Sequence, residues 1–294
     1  WGAGQLFAAY NFIFFSTAKT SGAFAPCPTC GAKTVGGMAR RATLLSQVRN
    51  SLTPGAVLVQ VAGPYEFLEA GDVDAPPGAA GPMAAALARL APDVAALAPE
   101  EAAMLARSGV ALPTGAVVLG DQPQTRVIAR GGVRLGLVFF PMPDKPGGEP
   151  NAKLRAATVT AAKGLRAGCD LVIGISPWGS MPEEAFVTAN PDVFDVLFGA
   201  GAGFGSQAAP QPSARTLWAR SHTKGKTIGR LDVNLPLKKP ATPWLPGENH
   251  HAELLNPDYT VPDDPAIAAL WQGAATAAAA PGAPPPYIKH NPLQ

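Results

Sequence analysis

Short apolar runs bounded by glycine, proline and other turn residues alternate with longer stretches of helical periodicity along most of this chain. Runs of that length without polar alternation suit strands buried on both faces, so the pattern predicts an α/β protein. Strands are expected at 12–15, 57–62, 93–97, 116–119, 126–130, 135–140, 171–175, 194–198 and 227–233. Helices are expected at 38–49, 83–90, 100–107, 153–167 and 183–188. In the first helix Met38, Leu44, Leu45 and Val48 make a core-facing stripe, with Arg40, Arg41 and Arg49 around it. Asn151 is placed to cap the helix that carries Leu154 and Leu165.

The 294 residues, 47% hydrophobic and 15% charged, suffice for a substantial core and exclude a disordered chain. The 32 glycines and 32 prolines follow no period, so they imply turns and long loops, not a collagen-like fibre. A net charge of +2, with Lys and Arg scattered, gives no basic field for nucleic acid. No run reaches the roughly 18 apolar residues of a membrane span. The nearest, 266–280, contains Gln272 and Gly273 and runs into Pro281, so a surface helix in a soluble protein is expected. The first residue is Trp1, which reads either as a processed terminus or as a truncation. From Lys239 onward Pro240, Pro243, Pro246, Pro257, Pro262 and Pro265 interrupt regular structure, and residues 281–286 are proline-rich. The division expected is a domain over 1–238 and an extended tail over 239–294, which wraps the domain or leads to a partner.

Seven stretches in order carry a family resemblance. They are 12–22 (FIFFSTAKTSG), 36–41 (GGMARR) before Leu44–Leu45, 57–67 (VLVQVAGPYEF), 93–101 (DVAALAPEE), 169–179 (CDLVIGISPWG), 194–203 (FDVLFGAGAG) and 224–233 (KGKTIGRLDV). This frame, over roughly 8–235, resembles the catalytic domain of calcineurin-like metallophosphoesterases, in particular the UshA-type 5′-nucleotidase branch. The Cys-containing turn near residue 27 resembles the UshA-like (seleno)protein subgroup. The resemblance implies a four-layer α/β/β/α sandwich, an exported protein of the periplasm or exterior, and an electron-transfer setting beside multihaem cytochromes. The second, substrate-gripping domain of the nucleotidases is expected to be missing, since too little chain follows residue 240.

Where the family motifs place metal ligands, this chain departs. Lys19 stands at the Asp and Ser21 at the His of the D-x-H-G turn, and Pro64 at the Asp of G-D-x-F. Pro99 and Glu100 fall in the G-N-H-E stretch, and Pro177, Gly201 and Gly203 stand at later His positions. Two-metal hydrolysis needs carboxylate, amide and imidazole ligands around two ions about 3.5–4 Å apart. An ammonium repels a cation, and proline and glycine offer no side-chain ligand. No metal or other cofactor is therefore expected, and phosphoesterase activity by the usual mechanism is rejected.

His222, His250, His251 and His290 do not restore the site, and the pair His250–His251 reads as a solvated loop. Glu100 and Glu101 have the chemistry of an acid–base pair, but acidic residues at a helix start ordinarily complement its dipole. The run Gly199, Gly201, Gly203, Gly205 does not fit G-x-G-x-x-G and no helical segment follows, which argues against a Rossmann site; a flexible loop over the former metal site is expected, ahead of an anion held by exposed backbone amides.

Cys27-Pro-Thr-Cys30 is the remaining reactive motif: a static disulfide, ahead of a redox pair whose thiol pKa Lys19 or Lys33 lowers. A half zinc site lacks a second ligand pair, and Cys169 reads as a core residue. The expected function is thus a non-catalytic pseudo-phosphoesterase with a protein partner. The alternatives are a Cys27/Cys30 thiol–disulfide protein and a residual metal-dependent phosphoesterase.

Overall fold

The computed structural model describes residues 11–28, 33–75, 78–145, 147–211, 215–235 and 243–278, with side chains as far as Trp271 in the last helix. In chain order the first elements are β1 (Phe12–Thr17), β2 (Cys27–Pro28), β3 (Thr34–Val35), α1 (Met38–Asn50), β4 (Val57–Ala62), α2 (Ala80–Leu90), β5 (Val94–Leu97), α3 (Pro99–Arg107) and β6 (Ala116–Val118). There follow β7 (Gln124–Arg130), β8 (Val133–Phe139), α4 (Ala152–Arg166), β9 (Leu171–Ser176), α5 (Ser180–Ala189), β10 (Val196–Gly199), β11 (Ser206–Pro210) and β12 (Leu217–Arg220). The last are β13 (Ile228–Val233), β14 (His250–Leu255) and α6 (Pro265–Ala278).

Two six-stranded sheets form, in the orders β14-β13-β1-β4-β5-β6 and β11-β12-β10-β9-β8-β7. In the first, β1, β4, β5 and β6 run parallel, β13 runs antiparallel to β1, and β14 pairs antiparallel with β13 and so runs in the direction of β1. In the second, β8, β9, β10 and β12 run parallel between antiparallel β7 and β11. The two-residue side-chain period sorts the strands into layers. Phe12 and Phe14 of β1 enter the core between the sheets, facing Leu135, Phe139, Ile173 and Phe198. Ile13 and Phe15 face the other way, into a core with α1, α2, α3 and α6. The outer face of the second sheet packs Phe140, Val172, Leu197 and Trp218 against Phe186 and Val187 of α5 and Ala162 of α4. Helix, sheet, sheet, helix: the four-layer sandwich is the observed architecture.

The long apolar runs became the central strands, and the five helices expected from periodicity are all present. Asn151 caps α4, its Oδ1 accepting from Leu154 N at 2.9 Å. The strands β2, β3, β11, β12 and β14 carry no apolar run that would announce them. HHAELL of β14 reads as polar, and becomes a strand because β13 offers it an edge to pair with from His250 to Leu255. After residue 239 the chain thus contributes a strand to the first sheet. It also contributes a helix whose Ile267 is buried and whose Trp271 stacks on Phe24 at 4.8 Å. The helix expected at 266–280 is therefore a covering layer over α1 and α2 and not a bare surface helix.

Candidate functional site

The parallel strands of both sheets end on the same side, and the segments after them form one cleft. Ligand sites in α/β sheets lie outside the carboxyl ends of the strands. Here β1 leads into Lys19 and Ser21, β4 into Pro64 and Tyr65, β5 into Ala98, β9 into Pro177 and β10 into Gly201–Gly203. A cleft of about 250 Å³ is lined by Lys19, Ser21, Tyr65, Glu69, Gly201 and Gly203, with Ala70, Ala202 and Thr223. Four positions singled out in the sequence (Lys19, Ser21, Gly201, Gly203) therefore do converge. Pro64 and Pro177 are buried and do not line the cleft, and Pro99 and Glu100 stand at the α3 N-terminus without lining it. At the strand ends themselves Ala18, Tyr65, Ala98 and Ala200 pack into a small apolar cluster.

Lys19 sits in a left-handed turn, φ 58°, followed by Ser21 at φ 52° and opposed by Tyr65 at φ 69°. Non-glycine residues in that region are strained and persist only where surroundings over-determine them. The hydrogen bonds do so here. Lys19 N donates to Pro64 O (3.1 Å), Ser21 N to Tyr65 O (2.9 Å), Gly22 N to Glu66 O (3.1 Å) and Lys224 N to Lys19 O (2.7 Å). The Lys19 side chain, in a residue only 7% exposed, donates from Nζ to Gly203 O at 2.8 Å. Burial and then the Arg220 guanidinium push its pKa down to about 8, against the opposing charges of Glu183 and Glu69.

Arg220 and Glu183 were not singled out by sequence reasoning. Arg220 ends β12, Glu183 lies on α5, and both side chains are completely buried as an ion pair. Glu183 also accepts from Trp218 Nε1 at 3.0 Å and from the Gly179 and Ala200 amides at 3.3 Å. Arg220 donates Nε to Phe204 O (2.9 Å) and Nη2 to Ala202 O (2.9 Å) and Gly201 O (3.2 Å). The glycine run expected as a flexible loop is held at its Gly201, Ala202 and Gly203 carbonyls by the Arg220 guanidinium and the Lys19 ammonium. No spacing in the sequence connects residues 183 and 220; only the packing of α5 against β12 does.

This lining does not fit a metal pair. Among the described residues no three His, Cys, Asp or Glu side chains come together as a cation site. Lys19 puts a positive charge where a bridging carboxylate would be needed. Gly201 (φ 71°) and Gly203 (φ 104°) also leave no room for imidazole. A Cβ on Gly201 would stand 2.3 Å from the Pro177 carbonyl oxygen, and one on Gly203 1.9 Å from Ser180 Oγ.

Other expectations are corrected by burial. Glu101 does stand at the start of α3, where it is fully buried and accepts from Phe67 N (2.7 Å), Ala98 N (2.8 Å) and Tyr65 N (3.1 Å). Ala98 has no side-chain oxygen, so only the Glu101 half of a capping box exists here. Burial raises the Glu101 pKa to about 7 despite these amides. Arg41, expected at the rim of α1, is buried and pairs with Glu66 at 2.7 Å, which Thr17 and Thr20 also reach at 2.7 Å. His250 is not solvated; it is buried on β14, its ring edge-on to Trp244 at 5.7 Å. His222 lies beside the cleft, its Nδ1 2.9 Å from Thr227 Oγ1. Cys169 is buried against Gly136, as a core residue should be. Cys27 is half-buried on β2, while Cys30 lies outside the described residues. Lys19 is engaged in the cleft, and the Lys33 ammonium stands 5.3 Å from the Tyr259 ring centre.

No protein-family model and no curated protein matches the chain. Solved structures do. A 5′-nucleotidase precursor from Thermus thermophilus superposes with a TM-score of 0.65 at 16% identity, over 90% of this chain and 58% of that one. The sulfate thiohydrolase SoxB of the same organism gives 0.67 at 12% identity, over 91% and 61%. This chain thus spans about three fifths of either relative. The calcineurin-like phosphoesterase YfkN of Bacillus subtilis gives 0.61 at 13% identity, over 91% of this chain and 97% of that one. Two sheets in this order, flanked by these helices and with a cleft at the strand ends, make this chain one with the fold of the calcineurin-like phosphoesterases and 5′-nucleotidases.

Proposed function

We propose that this protein is an exported, non-catalytic pseudo-phosphoesterase that serves as a binding or structural component. Lys19 carries the reading: its buried ammonium lies in the cleft at the strand ends, held to the loop of Gly201 and Gly203. A dinuclear centre needs anionic and neutral donors at that point. The prolines, glycines and alanines around Lys19 supply none. Elemental analysis of the purified protein, together with hydrolysis of p-nitrophenyl phosphate in added Mn²⁺ or Zn²⁺, tests it. The expected result is no stoichiometric metal and no turnover above buffer; bound metal with turnover would establish the residual phosphoesterase instead.

Location in the periplasm or outside the cell, and a partner such as a multihaem cytochrome, rest on the family resemblance. Capture of partners from a native envelope fraction, with haem absorbance recorded, is expected to retain a haem protein; a haem-free capture removes that part. The rival reading, thiol–disulfide exchange by Cys27 and Cys30, rests on the C-x-x-C spacing. A reduction potential far below that of exported redox couples would leave these cysteines as a staple only.

A further inference from the structure

We infer that the cleft beside Lys19 binds a small monocarboxylate, with the Lys19 ammonium as its principal partner. This deepens the non-catalytic reading and rests on it, because a metal pair would occupy the same ground.

An ammonium has three donors. Lys19 spends one on Gly203 O at 2.8 Å, and no ion pair joins it to a carboxylate among the described residues. A charge buried without a counter-charge is costly, and an anion from outside relieves that cost. The neighbouring cation does not compete for the same ligand, because Arg220 is already neutralised by Glu183 and its donors are spent on the loop carbonyls. Among the described residues Lys19 is then the one cation lining the cleft. Glu69, exposed and lining the same cleft, opposes a second negative charge on any ligand. This charge pattern selects a monoanion over a dianion such as sulfate or a phosphate ester.

Tyr65 lines the cleft beside Lys19. Burial, then Glu101, keeps its phenol protonated and therefore a donor. Size agrees: about 250 Å³ exceeds the roughly 30 Å³ share of one water but falls below the ≈ 300–1,000 Å³ of clefts that enclose drug-sized ligands.

Ligand-observed NMR on the full chain, with sodium acetate and sodium sulfate as probes, tests the site. Acetate is expected to bind saturably and more tightly than sulfate, and Glu69→Gln to narrow that difference. Lys19→Met should weaken acetate more than tenfold while Lys19→Arg retains it, with thermal unfolding as the check of folding. The groups facing Lys19 are Arg220 of β12, Glu183 of α5, Glu69 after β4 and His222 after β12. With the Lys19 pKa at about 8, wild-type binding should fall more than tenfold between pH 7 and pH 9.5. That arm stands even if Lys19→Met does not fold.

Unsaturable acetate, equal binding by wild type and Lys19→Met, or sulfate binding as tightly as acetate would overturn the inference. Metal content and turnover are measured on the same sample. A metal-free, inert protein that ignores acetate refutes only this inference, whereas a metal-loaded, active one refutes the reading beneath it.

Discussion

Glu183 and Arg220 show how much a single buried pair can organise. Their charges meet without solvent, and their remaining hydrogen-bonding capacity holds α5, β12 and the loop 201–204 together. Removing one partner of such a pair leaves an uncompensated buried charge, a loss of about 3–5 kcal/mol. Glu183→Gln is therefore expected to lower unfolding stability by that amount in urea melts. Glu183→Leu combined with Arg220→Met removes both charges but also strips the Trp218 indole and the 201–204 carbonyls of their partners, so it should cost at least as much as the single change. Glu101 makes a pH prediction. Its folded pKa of about 7 lies above the 4.5 of a free carboxyl, because burial outweighs the amides that it accepts from. A raised folded pKa means that the native state holds the proton more tightly than the unfolded one. Its contribution is full at acid pH and is lost as pH climbs from about 4.5 through about 7. Glu101→Gln should flatten the pH dependence of stability across that window, measured by denaturant midpoints at constant m-value.

Among the elements, the legible ones share a cause. β1, β9 and β10 are buried on both faces, so nearly every side chain in them is apolar and the run is visible in the sequence. The strands β11 and β14 lie at sheet edges, where half the environment is solvent or loop, and their residues carry no such mark. β12 is the instructive exception. It is completely buried, but its four residues LWAR end in an arginine that only the distant Glu183 makes tolerable. The last helix gives a measurable consequence. Ile267 is 1% exposed in the core that α6 shares with α1 and α2. Ile267→Ala should cost about 2–5 kcal/mol, the range for large-to-small core changes. A thermal melt that moves by less than a degree would show α6 to be dispensable.

At the level of the whole molecule, the sandwich and the chemistry at its rim separate. The fold places loops from both sheets around one cleft whatever side chains they carry, which is why fold alone does not assign an activity. Imidazoles placed at residues 201 and 203 would not create a metal site. Gly201→His with Gly203→His drives side chains into the Pro177 carbonyl and Ser180 from backbone angles of 71° and 104°. The double variant is expected to unfold at a lower temperature than wild type and to show no rise in melting temperature with Mn²⁺ or Zn²⁺. A native-state metal site would give such a rise by mass action.

By itself the sequence determined the layered α/β architecture, because period and burial of apolar runs are local properties that strands and helices express wherever they pack. It also determined the character of the strand-end positions, since lysine, proline and glycine cannot become carboxylate or imidazole in any fold. Tertiary structure alone decided which charges are buried and with whom. Glu183 with Arg220, Glu66 with Arg41, and Glu101 with the amides after β4 are separated by tens of residues, and their desolvation exists only once the layers close. It likewise made Lys19 a buried, singly bonded ammonium lining a cleft, because only the closing of the two sheets brings the Gly203 carbonyl to its Nζ.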